Sequence, residues 1–232
     1  MAAIGLDTIT TICSIREDFS LPGHPRWSVY PSRIPGVKQI GPEDAVGGLL
    51  TAADRWNMSV HLGLELNANG FSGPHSNMTK SFFVSMAQKN MAIATELHSK
   101  YGHHKSFVGV YDPHELSDVE WTAWAPPERF SNFLAHYLQP TFATIKQLGY
   151  SGSVAPFFCG SFNPAAVAPY GSAVASHWGP ANITAFYSLL LAKVPGLSIL
   201  AVQDCRGESC SCVPLATVLA RSLNTAICLS QL

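Results

Sequence analysis

Charge is scarce in this chain. Asp, Glu, Lys and Arg make up 12% of its 232 residues, and 14 basic against 15 acidic side chains leave a net charge near −1. With no basic excess to attract a polyanion, nucleic acid and anionic membrane surfaces are poor candidate partners. Long hydrophobic runs are missing as well. The apolar stretches fall short of a membrane span and are broken by Gly, Pro or His, so the chain reads as soluble with no membrane partner. The opening MAAIGLDTIT has neither a basic segment nor a cleavage site, so no secretory signal is expected. Three glycosylation sequons, at Asn57, Asn77 and Asn182, point the other way and would matter only in a secretory pathway. The compartment stays open.

Several catalytic signatures are absent too. No GxGxxG or GxxxxGK[ST] follows any strand-like run, which removes the usual phosphate cradles. No HExxH or finger-like cysteine spacing is present, so no metal and no cofactor is expected. Ser161 and Cys159 lack a GxSxG elbow or an evident base, which disfavours a nucleophilic triad. Of the six cysteines, Cys205, Cys210 and Cys212 cluster in CRGESCSC. In an oxidising compartment one of them could pair with Cys13, Cys159 or Cys228.

What remains is a rather apolar chain, 47% hydrophobic, with no low-complexity linker. One domain over residues 1–232 is expected. Ile4 to Ile15 is rich in β-branched residues and reads as a strand. Arg16 to Gly41, with four prolines, Trp27 and Tyr30, reads as a long loop with polyproline-like pieces. Pro42-Glu43-Asp44 opens a helix carrying Val46, Leu49, Leu50, Ala53 and Trp56 at the helical period. Ser59 to Leu66 is a strand, and a long helix runs from Thr79 or Lys80 to about Lys100, closed by Tyr101-Gly102. A helix from Glu128 to Gln147 should kink near Pro140 and end at Gly149. Gly152 to Phe158 and Leu197 to Val202 are strands, with a helix from Pro180 to Val194 between them. A short helix over Pro214 to Asn224 and a strand from Thr225 close the chain.

The stretch around which these elements are organised is Ser106 to Glu115, SFVGVYDPHE. Phe107 to Tyr111 suits a strand buried on both faces, and the break at Asp112-Pro113 would deliver Asp112, His114 and Glu115 past its carboxyl end. Strands near residues 59, 106, 151 and 197 recur at intervals of roughly 46, each followed by a helix, as serial β/α units do. Right-handed crossovers make the sheet parallel, and ligands bind at the carboxyl ends of its strands. The fold expected is α/β, a (β/α) barrel-like parallel sheet of TIM-barrel type, incomplete, with about six of the eight strands.

LGLELN (62–67), HSKYG (98–102), SFVGVYDPHE (106–115), SVAPFF (153–158) and AVQDCRG (201–207) fall in an order that resembles the domain-of-unknown-function 4434 family. The resemblance implies a TIM barrel similar to glycoside hydrolases, with a G-W-Y-x-P-x-E signature after one strand and Q-D-G-x-G after a later one. Val110 stands at the signature tryptophan and Cys205 at the first glycine of the later motif. Relative to that family the chain lacks the first strand and stops inside the seventh. By this register Glu115 matches the acid/base position, and the nucleophile position falls at or beyond the C-terminus.

Glycosidic cleavage needs two carboxyl groups flanking the scissile bond. Glu115, Asp204 and Glu65 are the catalytic candidates, with Asp112 behind them. Glu115 could equally cap a helix, Asp204 close a turn, and Glu65 point into a polar layer of the barrel. Tyr111, Asn67 and Gln203 are candidate substrate contacts, and Trp124 and Trp178, with Trp121 and Tyr170, could stack on sugar rings. His114 is placed to tune Glu115, His61 reads as a core histidine, and His103 and His104 as solvated. The expected activity is hydrolysis of a poly- or oligosaccharide. The competing reading is a barrel that binds carbohydrate without cleaving it. Unfinished sheet edges could also let copies associate.

Overall fold

The structure, a computed structural model, describes residues 7–18, 21–67, 79–117, 131–157, 188 and 190–201. Five strands form a sheet: β1 (Thr8–Thr10), β5 (Ser59–Gly63), β7 (Phe107–Ser117), β8 (Ser151–Phe157) and β9 (Leu197–Leu200). They pair in chain order and every pairing is parallel. This is the arrangement that right-handed β/α crossovers produce. The expected helix at 214–224 and strand from Thr225 lie outside the described residues.

The two faces of this sheet differ in kind. Leu62, Val110 and Gly152 are register partners on one face, with Val154 two residues on. That face is covered by helices, and at Gly152 the cover is so close that a Cβ would meet the Phe142 ring at 2.3 Å. The opposite face carries His61, Gly109, Tyr111, Ser151 and Ser153. A Cβ on Gly109 would lie 2.2 Å from the His61 ring and 2.7 Å from Ser151 Oγ, so only glycine fits there. His61 is buried with Ser153 Oγ 3.2 Å from its Nδ1, and burial lowers its pKa.

Around the sheet, α1 (Ala45–Arg55) begins at Asp44, whose carboxylate accepts from the Gly47 N–H. Pro42 and Glu43 therefore precede the helix. In α2 (Lys80–Tyr101) the Thr79 hydroxyl caps the Phe82 N–H, and Phe83, Met86, Ala87, Asn90, Ile93, Ala94 and Leu97 form the buried stripe. Gly102 ends α2 in right-handed geometry, where a left-handed cap would have been the ordinary use of glycine. The next helix does break near Pro140. Leu134–Leu138 is a π-turn, with the Gln139 N–H reaching back to the Leu134 carbonyl, and α3 (Gln139–Gln147) follows. The wide turn absorbs the backbone bond that Pro140 cannot donate. Residues 190–193 are helical, inside the helix expected from Pro180 to Val194.

The segment read as a loop is the main correction. It contains three short strands, β2 (Ile15–Glu17), β3 (Arg26–Ser28) and β4 (Val37–Gln39), which join β6 (Glu65–Asn67) in a second sheet of order β4-β3-β2-β6. The strand expected over Ser59 to Leu66 is split at Leu64 for the same reason, its last residues pairing with β2. The first strand splits likewise into β1 and β2. The prolines lie between these short strands, where no ladder needs their missing N–H.

Candidate active site

The break expected at Asp112-Pro113 does not occur. β7 runs on to Ser117, and its pairing with β8 skips register between Asp112, opposite Val154, and Leu116, opposite Pro156. Three residues of β7 are spanned by one of β8, so Pro113, His114 and Glu115 form an irregular, bulged end. Bulges often re-aim side chains next to active sites. Glu115 is described only by its place on this strand.

Asp112 and His114 are buried together, Nδ1 of His114 lying 2.6 Å from Asp112 Oδ1. The Tyr137 hydroxyl is 3.1 Å from the same Nδ1, and the ring packs edge-on against the imidazole. Tyr137 in turn accepts from Asn90 Nδ2 at 2.8 Å, and Asn90 Oδ1 accepts from the Glu65 N–H at 3.1 Å. One chain of polar contacts thus ties β7, the π-turn, α2 and β6 together under the carboxyl end of the sheet. Burial and the neighbouring Asp112 carboxylate push the Tyr137 pKa well above its usual value, so its hydroxyl stays neutral. Asp112 and His114 share the helix-covered face with Val110, and alternation sets Tyr111, opposite Gly63 and Ser153, on the other face. His114 is therefore engaged by Asp112 and Tyr137.

Glu65 is 3% exposed, and both of its carboxylate oxygens are held by the Arg26 guanidinium, Oε2 at 3.0 Å from Nη2 and Oε1 bonded to Nε. Glu17, nearly buried, bonds Lys89 of α2 at 3.0 Å. Asn67 closes β6 opposite Glu17. Asp204, Gln203, Trp121, Trp124, Tyr170, Trp178, Cys159 and Ser161 lie outside the described residues. At the other end of the sheet His104 is not solvated: its Nδ1 lies 2.7 Å from Asp54 Oδ2, while His103 is exposed. Cys13 has a free thiol whose pKa burial raises.

Sequence reasoning missed Asn90, Tyr137 and Arg26. Asn90 did leave a signal, as a polar residue in the apolar stripe of α2, and Tyr137 repeats four residues after Phe133. Arg26 left none, because β3 was read as loop. Among the described residues no cluster of three potential metal ligands occurs, and no helix is long and apolar enough to cross a membrane.

Parallel strands in chain order with helices on one face define a (β/α) barrel-like parallel sheet. The chain belongs to the family described as a domain of unknown function (DUF4434), which it matches over residues 1–215. The crystal structure of a "putative alpha-L-fucosidase" from Bacteroides thetaiotaomicron has a TM-score of 0.61 at 20% identity, over 88% of this chain and 55% of that one. The chain thus spans little more than half of that protein's length. A chitinase catalytic domain from Ostrinia furnacalis gives a TM-score of 0.36 at 15% identity, over 69% of this chain and 36% of its own, too distant to carry an argument. No curated protein matches.

Proposed function

We propose that the protein is a glycoside hydrolase acting on a poly- or oligosaccharide, with Glu115 as the general acid. The observation that carries this reading is the place of Glu115, in the bulged carboxyl end of a central strand of a glycoside-hydrolase-type sheet. A carboxyl group there would protonate the glycosidic oxygen while a second carboxylate attacks the anomeric carbon or activates a water. Arg26 occupies both oxygens of Glu65, which leaves Asp204, in the QDCRG stretch after β9, as the better candidate for that second role. Tyr111, Asn67, Gln203, Trp124 and Trp178 are the proposed contacts to the sugar.

The test is turnover on a panel of aryl glycosides and oligosaccharides, fucosides and chito-oligosaccharides included. Glu115→Gln should lower kcat/KM by about 10²- to 10⁴-fold, the usual contribution of a positioned acid. Asp204→Asn should do the same, and the anomer released, read by NMR, would distinguish retention from inversion. Activity unchanged in Glu115→Gln would remove it from the mechanism. The commitment of Glu65 to Arg26 favours a second reading, a barrel that binds sugar without cleaving it. Saccharide binding indifferent to Glu115→Gln, in a protein without turnover, would establish that one.

A further inference from the structure

The second sheet has two unlike faces. On one, Glu17 reaches Lys89 of α2, and Arg26 grips Glu65. Alternation along each strand then turns Arg16, Trp27 and Lys38 to the face directed away from α2. These three are direct cross-strand partners, Arg16 opposite Trp27 and Trp27 opposite Lys38, with Leu66 of β6 on the far side of Arg16. Arg16 and Lys38 are exposed, and Trp27 is half-buried between them. Lys38 Nζ stands 5.9 Å from the indole centroid, at the outer limit of a cation–π contact. Among the described residues neither cation has a carboxylate within ion-pair reach. The nearest acid along the chain, Asp18, follows β2 opposite Pro25, its N–H donating to the Pro25 carbonyl, and no ion pair joins it to Arg16.

We infer that the Arg16–Trp27–Lys38 row is a binding subsite for an acidic saccharide, one bearing uronate or sulfate groups. The indole offers a flat apolar face for the C–H side of a sugar ring. The guanidinium offers a planar fork for a carboxylate or sulfate, and the ammonium a point charge. Two strand spacings separate the cations by about 10 Å, so an anionic group on either side of the stacked ring finds a partner. A neutral sugar would use the indole and leave both cations idle. β6 continues from β5 past Leu64, which sets the row beside the carboxyl ends of the main sheet, on the side where the proposed cleavage lies. The ligand class rests on the carbohydrate reading above; the binding it predicts does not require cleavage.

The experiment is calorimetric titration of the full chain with an oligogalacturonate, a chondroitin sulfate oligosaccharide, a neutral chito-oligosaccharide and a short single-stranded DNA. The two acidic saccharides should bind and weaken with added salt, and the neutral one should bind at least about ten-fold more weakly, the size of one charge-assisted hydrogen bond. Trp27→Ala and the double variant Arg16→Gln/Lys38→Gln should each cost about ten-fold, and Trp27→Phe should retain most of the affinity. The double variant changes only exposed side chains, so it guards against a folding defect in Trp27→Ala. Equal affinity for the neutral saccharide, indifference to both sets of substitutions, binding of DNA as tight as that of the uronate, or no saccharide binding would each overturn the inference. Turnover sensitive to Glu115→Gln but not to the row would overturn this subsite and leave the hydrolase reading standing. Acidic-sugar binding through Trp27 with no turnover would do the reverse.

Discussion

At Asp112 a carboxylate is completely buried, and its neighbours are what make that tolerable. His114 lies at hydrogen-bonding distance, Tyr137 stands beside it, and Asn90 fixes the tyrosine. Removing one member of such a buried polar set strands the others without solvent. Asp112→Ala should therefore cost about 3–5 kcal/mol in chemical denaturation, far beyond a surface substitution. A cost under about 1 kcal/mol would show that the network relaxes freely. Asp54 makes a different prediction. Burial raises its pKa, but hydrogen bonds from His104 and Ser106 outweigh that and bring it to about 2. A folded pKa below the unfolded one gives stability that is fully present above the ordinary carboxylate range near 4 and lost as pH falls toward 2. Asp54→Asn should flatten that acid limb of the stability profile, measured by denaturation between about pH 5 and 2. An unchanged slope would mean that the pairing with His104 does not persist in solution.

Among the elements, the small sheet depends on Arg26. Among the described residues it is the cation paired with the buried Glu65, and β3 has few apolar residues to hold it otherwise. Arg26→Met should leave Glu65 as a buried unpaired carboxylate, and hydrogen exchange should rise in residues 15–17, 26–28 and 37–39 while β7 and β8 stay protected. Uniform loss of protection would show that both sheets unfold as one unit. The helices and main-sheet strands were largely legible. α1 and α2 lie where helices were expected, although Asp44 caps α1 instead of standing in its first turn and Gly102 ends α2 in right-handed geometry, and Pro140 marks an irregular turn. The short strands β2, β3 and β4 were not. Three residues are too few to show a period, and each is held by partners distant in sequence.

For the whole molecule, β1 is the outer strand of the described main sheet, with Thr8 and Thr10 exposed and Ile12 70% exposed beside it. Among the described residues no strand pairs with that side of β1, and an open edge with an apolar residue invites pairing with a second copy. Light scattering should show an average mass that rises with concentration, and Thr10→Lys should suppress the rise; a constant monomer mass would refute edge pairing. At this scale the order of β/α units was readable from apolar runs spaced by helices, since a run buried on both faces has few alternatives to a parallel strand. The surroundings of each carboxylate were not. Glu65 and Asp112 look alike in sequence as acids near strand ends, yet one is clamped by Arg26 and the other is set against His114 and Tyr137.

The sequence by itself determined the serial strand–helix order and the place of Glu115 near the carboxyl end of its strand, because these depend on local periodicity and on residues a few positions apart. Only the tertiary structure decided which acids are spoken for and that a proline-rich stretch folds into a second sheet, because the partners concerned, Arg26 for Glu65 and Tyr137 for His114, come from 39 and 23 residues away.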